Sequence, residues 1–304
     1  MRYPLAGKYA TVRTAEDAQG GYTVATELNG FISTLRNSMV SLQAGAKLMT
    51  GLQGDIAIPR RASDSVATWR TEGGVATQSD PTYEQVTMTP HRLTTYTEFT
   101  QQLLRQSTID IEAEVRDTLF YSIANALETA IYAGSGTSQV PAGLINTTGV
   151  NDADHGSNGT VLNWANIVQM EKMVATDNGL AGKLAYITNA TAAGKMKVTL
   201  KNTYQGGYIW EQFTPLTKGM VNGYDAFITN VISNSTTRGT NSDTSLLFFG
   251  DWSQLLVGQW GGLDLLVNPY SLDTYGTIRV VVAGYYDIAV KQPAAFAAMA
   301  GLEN

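Results

Sequence analysis

The spacing of apolar residues along the chain predicts one dominant helix. Six apolar side chains recur every four residues, the period of an amphipathic helix: Ile111, Val115, Leu119, Ile123, Leu127 and Ile131. We predict a helix over residues 107–133, with Ser107 as N-cap, Asp110 completing a pair similar to a capping box, Phe120 widening the apolar stripe and Gly134 ending it. At 1.5 Å per residue such a helix is about 39 Å long, which indicates a spine that runs the length of a domain rather than a short helix packed within a core.

A second pattern, rich in β-forming residues, covers residues 56–100. Ile56 to Pro59 predicts a short strand that the proline stops. Residues 82–100 contain seven threonines among apolar residues, which predicts strand with a break at Pro90. The polar, turn-rich residues 61–81 lie between them, so the whole segment predicts a long hairpin.

This hairpin has too few apolar side chains to bury a face of its own. An isolated two-stranded ribbon is marginally stable in water, so it either folds back on this protein or lies on a neighbour. The residues alone favour folding back. Trp69 stands almost alone among polar residues, which favours the neighbour, since exposed aromatic side chains commonly anchor partners. The candidate contact residues are Arg60, Arg61, Trp69, Arg70 and Tyr83.

The rest of the chain alternates shorter helices and strands. Residues 28–49 predict a short helix or two, before the hairpin. Further helices are predicted from Trp164 to Gly179 and over residues 189–200, and a polar loop over 233–244. Strands are predicted at residues 184–188, 226–229, 245–249, 277–283 and 287–291.

The charge content changes this picture. Charged residues make up 15% of the chain, against about 25% for an ordinary soluble domain, while 43% are hydrophobic. A chain this poor in charge is expected to hide much of its surface against other chains. The alternative is a secreted β-rich protein. The net charge of −6 disfavours a nucleic-acid-binding surface, and Arg60, Arg61 and Arg70 are too few to make one.

Targeting signals and membrane segments are not predicted. The residues after Met1 contain no apolar signal-peptide region, and no run of 18 apolar residues occurs, so we expect synthesis and use in the cytoplasm and no membrane partner. The absence of cysteine excludes disulfides and thiolate metal sites.

Candidate catalytic and ligand-binding residues are scarce. His91 and His155 lack partners at ligand spacing, so no metal or cofactor is predicted. Asp251 and Asp287 each lie beside an aromatic residue and are the candidate carboxylates of a glycosidase, although each is more typical of a turn or strand end. The Gly-rich residues 134–143 lack Gly-Lys-Ser/Thr, which argues against phosphate binding. We therefore predict no catalytic residue and no enzyme.

Several motifs together resemble the Hong Kong 97-fold major capsid proteins of tailed bacteriophages, in mature form. The resemblance covers about residues 14–298. Its motifs occur in the family's order: Gly-Gly-Tyr-Thr-Val at 20–24, Ala-Gly-Ser-Gly-Thr at 133–137 with Pro-Ala-Gly-Leu-Ile-Asn at 141–146, Gly-Gly-Tyr-Ile-Trp at 206–210, Phe-Gly-Asp-Trp-Ser at 249–253, and Asp-Ile-Ala-Val at 287–290 with Pro-Ala-Ala-Phe at 293–296.

The resemblance implies an α+β fold with the family's parts. It assigns an N-terminal arm, an extended β-hairpin loop lying over the adjacent subunit, a peripheral domain with a long spine helix, and an axial domain. The boundaries it implies are: arm, 1–30; peripheral domain, 31–52 and 101–154, with spine helix 107–133; extended loop, 53–100; axial domain, 155–230; return of the axial domain and C-terminal peripheral strands, 231–304.

The resemblance also implies partners and a location. Subunits of the family form pentamers and hexamers that close an icosahedral shell around double-stranded DNA without binding it specifically. Scaffold, portal and possible decoration proteins are the expected partners, with assembly in the bacterial host cytoplasm and a final place in the virion capsid. The alternatives are an encapsulin-like bacterial nanocompartment, which shares the fold, and a secreted β-rich glycoside hydrolase.

Two departures from the family follow. Some members weld neighbouring subunits by a Lys–Asn isopeptide bond assisted by a buried glutamate. No lysine occurs between Lys47 and Lys172, and Gly276 and Ala283 stand where the asparagine and glutamate are expected, so no crosslink is predicted. The chain also starts near the mature arm, so we expect any scaffolding segment to have been removed or to be a separate protein.

Overall fold

A computed structural model describes residue 36 and residues 38–303, apart from 108–109, 138, 154–157, 203–205, 212–213, 217 and 234–235. The predicted arm, residues 28–35 of the first predicted helix, and His155 lie outside this part. The described helices are α1 Val40–Ala44, α2 Gln101–Gln106, α3 Ile111–Ala133, α4 Trp164–Thr176 and α5 Ala190–Val198.

The strands form two larger sheets and two hairpins. In chain order they are β1 Lys47–Met49, β2 Ile56–Ser63, β3 Thr82–Met88, β4 His91–Thr100, β5 Ser135–Thr137, β6 Val140–Ala142, β7 Asn151–Asp152, β8 Thr160–Val161, β9 Leu184–Thr188, β10 Lys218–Val221, β11 Tyr224–Ile228, β12 Thr236–Arg238, β13 Asn241–Asp251, β14 Leu255–Asn268, β15 Thr277–Val290 and β16 Phe296–Glu303. One sheet has the order β1-β14-β15-β4, and the other β10-β11-β9-β13-β16-β7, with β8 on β16 and β12 on β13; β2 pairs with β3 and β5 with β6.

The long helix α3 confirms the apolar stripe but not its predicted start. Leu119, Ile123, Leu127 and Ile131 are buried, as the four-residue period predicts. Ser107 ends α2 with an extended backbone, and Asp110 is the N-cap of α3, accepting a hydrogen bond from the backbone N–H of Ala113. The predicted start was therefore wrong, because the cap acts one turn later. Phe120 is 38% exposed and lies off the stripe.

The four-stranded sheet corrects the predicted hairpin. β4 pairs along ten residues with β15 and not with β2. β3 is the partner of β2, so the chain turns at Thr89-Pro90 from the hairpin into the sheet. The alternation of β4 carries Phe99 into the core beneath α3, and this burial decides which sheet the strand joins.

Three strand boundaries differ from the predictions. Residues 277–290 form one strand, because Gly284 pairs with Leu93 of β4 and the tyrosines after it continue the pairing with β14. Residues 233–244 are not all loop, since β12 and the start of β13 form a hairpin there. β2 continues through Pro59 to Ser63, because a two-stranded ribbon has unpaired edges that tolerate a missing N–H. The helices α4 and α5 and the strands β9, β11 and β13 confirm their predictions within a few residues.

The larger sheet separates two cores. Successive residues of β13 point to opposite faces: Phe248 packs into the core that contains α3, and Phe249 into the core that contains α4 and α5. β16 alternates in the same way, with Phe296 in the first core and Met299 in the second. A sheet covered on both faces reads as a continuous apolar run, which is why β13 is easily found in the sequence.

The Gly-rich segment after α3 is a site of close backbone approach. The carbonyl of Gly134 accepts the N–H of Gly143 at 2.9 Å and the side-chain amide of Asn146 at 2.7 Å. A Cβ at Gly134 would collide with the carbonyl of Pro141. The glycines of this motif therefore allow β5 and β6 to pack closely against the end of α3.

A buried carboxylate joins α3 to α1. Glu128 is 1% exposed, and its Oε1 accepts hydrogen bonds from the backbone N–H of Val40 at 2.7 Å, that of Ser41 at 3.3 Å and the Tyr132 hydroxyl at 3.0 Å. Burial raises the pKa of Glu128, and the three donors oppose that rise. This residue holds the start of α1, and a charge on the apolar side of α3 is the one feature of the sequence that points to it.

Candidate inter-subunit contact surface

The antiparallel pair β2 and β3 with its connection forms a projecting ribbon. We call residues 56–88 the ribbon, residues 56–60 and 84–88 its base, and residues 61–83 its tip. Register runs from Ile56 opposite Met88 to Ser63 opposite Thr82. Residues 64–81 contain no regular secondary structure.

The base packs on the protein's own body. Met88 is fully buried and belongs to a small core with Leu256, Trp260 and Ala289 of the four-stranded sheet. Ile56, Ile58 and Val86 cover this core as partly buried side chains. The prediction that the whole hairpin lacks cover in its own chain is therefore wrong for the base, because its few apolar residues are concentrated there.

Arg60 fastens the base. Its Nε and Nη2 donate to Glu84 Oε2 across the ribbon at 3.1 and 2.7 Å, and its Nη1 donates to the carbonyl of Lys291 at 3.2 Å. Its side chain is 28% exposed. The structure thus places this candidate contact residue in bonds within the chain, where it ties the ribbon to the body.

Asp287 holds the turn between ribbon and sheet. Its carboxylate accepts the N–H of Thr89 at 2.7 Å and that of Ile288 at 2.8 Å, and lies 3.5 Å from Nδ1 of His91 without a hydrogen bond. Burial raises the pKa of Asp287, while those N–H donors and His91 oppose the rise. Asp251, the other carboxylate considered for catalysis, accepts the N–H groups of Lys183 and Ser253 at 2.9 and 3.0 Å. Both acids hold the chain's own backbone.

The tip is exposed almost throughout. Trp69 has a relative exposure of 102%, Val75 of 87%, and Val66 and Tyr83 of 66% each. The tip's hydrogen bonds are local, for example the Val66 N–H to the Ser79 hydroxyl at 2.9 Å. A large apolar side chain without a single covering neighbour is typical of a residue that meets a partner.

Two other candidate residues lie beside each other at the tip. Arg61 donates to Asp64 Oδ1 at 2.7 Å, and its guanidinium lies 6.0 Å from the ring centre of Tyr83. The Asp64 carboxylate raises the pKa of Arg61. Arg70 follows Trp69 and is exposed. The structure therefore brings Arg61 and Tyr83 together, and leaves Trp69 and Arg70 at the far end.

The positions considered for a crosslink lie along β15. Gly276 has a φ of +60° just before this strand, and Ala283 pairs with Asp264 on one side and Thr94 on the other.

Within the described residues, no group of three or more His, Asp or Glu side chains could hold a metal ion. No described helix is both long and apolar enough to cross a membrane.

Comparison with known proteins gives a family match over most of the chain. The model of the phage capsid family matches residues 20–301. A curated relative, the major capsid protein of Halomonas phage phiHAP-1, is 30% identical over 253 residues. This alignment covers 83% of the chain but 39% of the relative, so the chain spans about two fifths of that protein's length.

Solved structures match over nearly the whole chain. The capsid of a native GTA particle, computed with C5 symmetry, has a TM-score of 0.74 at 17% identity and covers 96% of this chain and 100% of its own. A structure from Microbacterium phage Oxtober96 has a TM-score of 0.73 at 15% identity, with 96% and 99% coverage. At these identities the likeness shows a shared fold.

Proposed function

The chain belongs to the phage capsid family, and on that premise we propose that it is the major capsid protein that builds a phage shell. Its fold is of the Hong Kong 97 type, as its motifs implied. The work of such a protein is done by binding energy between copies, since many weak contacts together close a stable shell.

The observation that carries the proposal is the exposed tip of the ribbon. A projecting segment with Trp69 uncovered and only local hydrogen bonds gains its stability from a surface outside the chain. We infer that the tip lies on an adjacent copy, and that Trp69, Arg70, Arg61 and Tyr83 are its contact residues. Arg60 contributes by holding the base in place.

The division into parts is also a proposal. We infer an N-terminal arm at 1–30, a peripheral domain from 31–52 and 101–154 around α3, and an axial domain from 155–230 with its return in 231–304. The extended loop of 53–100 is reduced to the ribbon, because β4 belongs to the four-stranded sheet. We infer that the axial part is built around the core that contains α4 and α5.

Pentamers and hexamers closing an icosahedral shell are the proposed assembly, and the matched capsid computed with C5 symmetry supports the pentamer. We propose that the shell encloses double-stranded DNA without specific contacts, consistent with the net charge of −6. Scaffold, portal and decoration proteins are proposed partners. Assembly in the bacterial cytoplasm and residence in the virion follow from the same premise.

The alternatives receive less support. The matched family and relative are those of phages, which favours a shell around DNA over an encapsulin-like nanocompartment. A secreted glycoside hydrolase is disfavoured because Asp251 and Asp287 both accept backbone N–H groups. We propose that the chain has no catalytic residue and no cofactor.

Electron microscopy of the expressed chain tests the proposal. We expect closed particles in negative stain, and a fraction near the void volume in size-exclusion chromatography. Denaturing gels of the particles should show a 32.7 kDa band, because residues 48–171 contain no lysine to form a crosslink. A folded chain that stays monomeric at every concentration, with and without co-expressed phage assembly proteins, would contradict the function; a covalent ladder would contradict only the absence of crosslinks.

A further inference from the structure

A histidine and an aspartate meet at the turn that joins the ribbon to the four-stranded sheet. His91 is the first residue of β4, and Thr89 and Pro90 connect it to Met88, the buried end of the ribbon. Asp287 of β15 accepts the Thr89 N–H at 2.7 Å, so this carboxylate holds the turn through the backbone. A change at Asp287 therefore acts where the base is attached to the body.

The contact between the two side chains is incomplete. Nδ1 of His91 is buried, has no hydrogen-bond partner and lies 3.5 Å from Oδ1 of Asp287. A neutral imidazole has a hydrogen on one of its two nitrogens, whereas an imidazolium donates from both. A proton added to His91 makes Nδ1 a charged donor beside a carboxylate, and charge-assisted hydrogen bonds are about twice as strong as neutral ones. The ring is 19% exposed, so solvent protons reach it.

Other titratable groups of the sheet do not take part in this exchange. Tyr286 lies opposite His91 in the pairing of β15 with β4, and burial raises the pKa of its phenol, which stays neutral near pH 7. Arg92 is exposed and points to the face of the sheet opposite to His91. Burial raises the pKa of Asp287, two backbone N–H groups oppose that rise, and the side-chain charge that opposes it is that of His91.

Neighbouring elements bring apolar, amide or already bonded groups to the ring. The side chains of α3 and of the β5–β6 hairpin that line a hollow together with His91 are Ala126, Leu127, Ala130, Gln139, Val140 and Pro141. The carboxylate of Glu128 on α3 is bonded to the backbone of α1, and Arg60 and Glu84 of the ribbon are bonded to each other. Within the described residues, Asp287 is therefore the partner for a charge on His91.

We propose that His91 and Asp287 form a pH-sensitive latch at the root of the ribbon: a proton on His91 ties the turn to β15, and its loss loosens the base from the body. Histidine exchanges its proton between about pH 5 and 8, so the latch is closed in mild acid and looser above neutral pH. It opens again in stronger acid, as pH falls through the raised pKa of Asp287 and the carboxylate loses its charge. The latch is a property of one subunit and goes beyond the proposed shell function, which does not require it.

Thiol labelling of single-cysteine variants measures how often the base opens, because the chain has no cysteine of its own. Ala289→Cys puts a thiol in the small core that the base covers, and Val75→Cys puts one on the exposed tip. The ratio of the two labelling rates removes the pH dependence of thiol reactivity itself. We expect this ratio to rise about fivefold from pH 5.5 to 7.5, because the closed base holds the proton of His91 more tightly than the open one.

Three controls assign the effect. His91→Gln cannot be charged, so in this background the ratio should change by less than about twofold. Asp287→Asn keeps an oxygen for the Thr89 N–H but has no charge, and should flatten the ratio in the same way. Val174→Cys, buried in the core that contains α4 and α5, reports openings unrelated to the ribbon, and its ratio to Val75→Cys should also change by less than about twofold.

Each outcome decides the inference. A ratio for Ala289→Cys that is constant from pH 5.5 to 7.5, or that rises equally with His91→Gln, would overturn the latch. A rise that persists with Asp287→Asn would overturn the pairing with that carboxylate. Met88→Cys reads the same opening from the ribbon's side, so the test remains decisive where Ala289→Cys does not fold. None of these results bears on shell formation, which electron microscopy tests separately.

Discussion

Two antiparallel strand pairs of this protein differ in what supports them. The pair β14 and β15 has a third strand, β4, along most of its length and the helix α3 beneath it, so Val280 and Val282 are buried. The ribbon has two strands only, and its cover ends with the base. Similar backbone pairing therefore gives a supported part of a sheet in one place and a projecting segment in the other. The difference lies in the buried side chains beneath each pair, since a lone two-stranded ribbon has no core.

Removal of the tip should have the largest effect on assembly and almost none on folding. We expect replacement of residues 62–80 by an Asn-Gly turn to abolish particles, because nearly all of the segment removed is exposed and, in the proposed function, lies on an adjacent copy. Circular dichroism and thermal unfolding should match the full chain, and electron microscopy should show no shells. Normal shells from this variant would contradict the claim that the tip serves contacts between copies.

Truncation in the base should destabilise the subunit strongly. Met88→Ala removes a fully buried side chain from the small core, and we expect the free energy of unfolding to fall by about 3 kcal/mol. Val75→Ala at the tip is the matched change, with an expected loss within about 0.5 kcal/mol. Chemical denaturation of both variants measures this. Equal losses in the free energy of unfolding would mean that the base packs on the body no more than the tip does.

The body also contains a buried ionisable group that the ribbon lacks. Glu128→Ala leaves the N–H groups of Val40 and Ser41 and the Tyr132 hydroxyl without their acceptor, so we expect a loss of about 2 kcal/mol in unfolding free energy. Glu128→Gln keeps an acceptor oxygen and should lose less. The control Glu114→Ala removes an exposed partner of Arg36 and should change little.

The pH dependence of stability gives a second measurement at Glu128. Because the folded pKa is raised above its ordinary value of 4.5, the folded protein holds this proton more tightly than the unfolded chain. The corresponding stability is present below pH 4.5 and is lost as pH rises through the folded pKa. Glu128→Gln has no such proton, so its unfolding free energy relative to wild type should increase over that range. A constant difference from pH 4 to 7 would contradict the raised pKa.

The two neighbouring arginines should give the smallest effects and mark the boundary of the base. We expect Arg60→Ala to cost about 1 kcal/mol, because it donates to both Glu84 and the Lys291 carbonyl. Arg61→Ala loses an exposed pair with Asp64 and should cost a few tenths at most. Urea titrations of both variants check this. A larger loss of stability for Arg61→Ala than for Arg60→Ala would mean that the base extends beyond residue 60 into the tip.

Elements with a clear apolar period could be predicted from the sequence. The stripe of α3 and the apolar run of β13 are properties of neighbouring residues, and both occur as expected. The start of α3 could not be fixed, because both Ser107 and Asp110 are competent caps and tertiary packing chooses between them.

Pairing partners were harder to predict than elements. β4 follows β3 after two residues, which favours one hairpin locally, yet Phe99 is buried only if β4 joins β15. Of the contact candidates, Trp69 was recognisable as an apolar residue among polar ones. The bonding of Arg60 to Lys291 was not, since the two are 231 residues apart in the chain.

The sheet that separates the two cores has a consequence for folding during translation. Its strand β16, residues 296–303, lies inside the sheet between β13 and β7 and contributes buried side chains to both cores. Neither core can close until this strand has left the ribosome. Until then the apolar surfaces of both cores stay unmatched in the nascent chain, a state in which aggregation competes with folding.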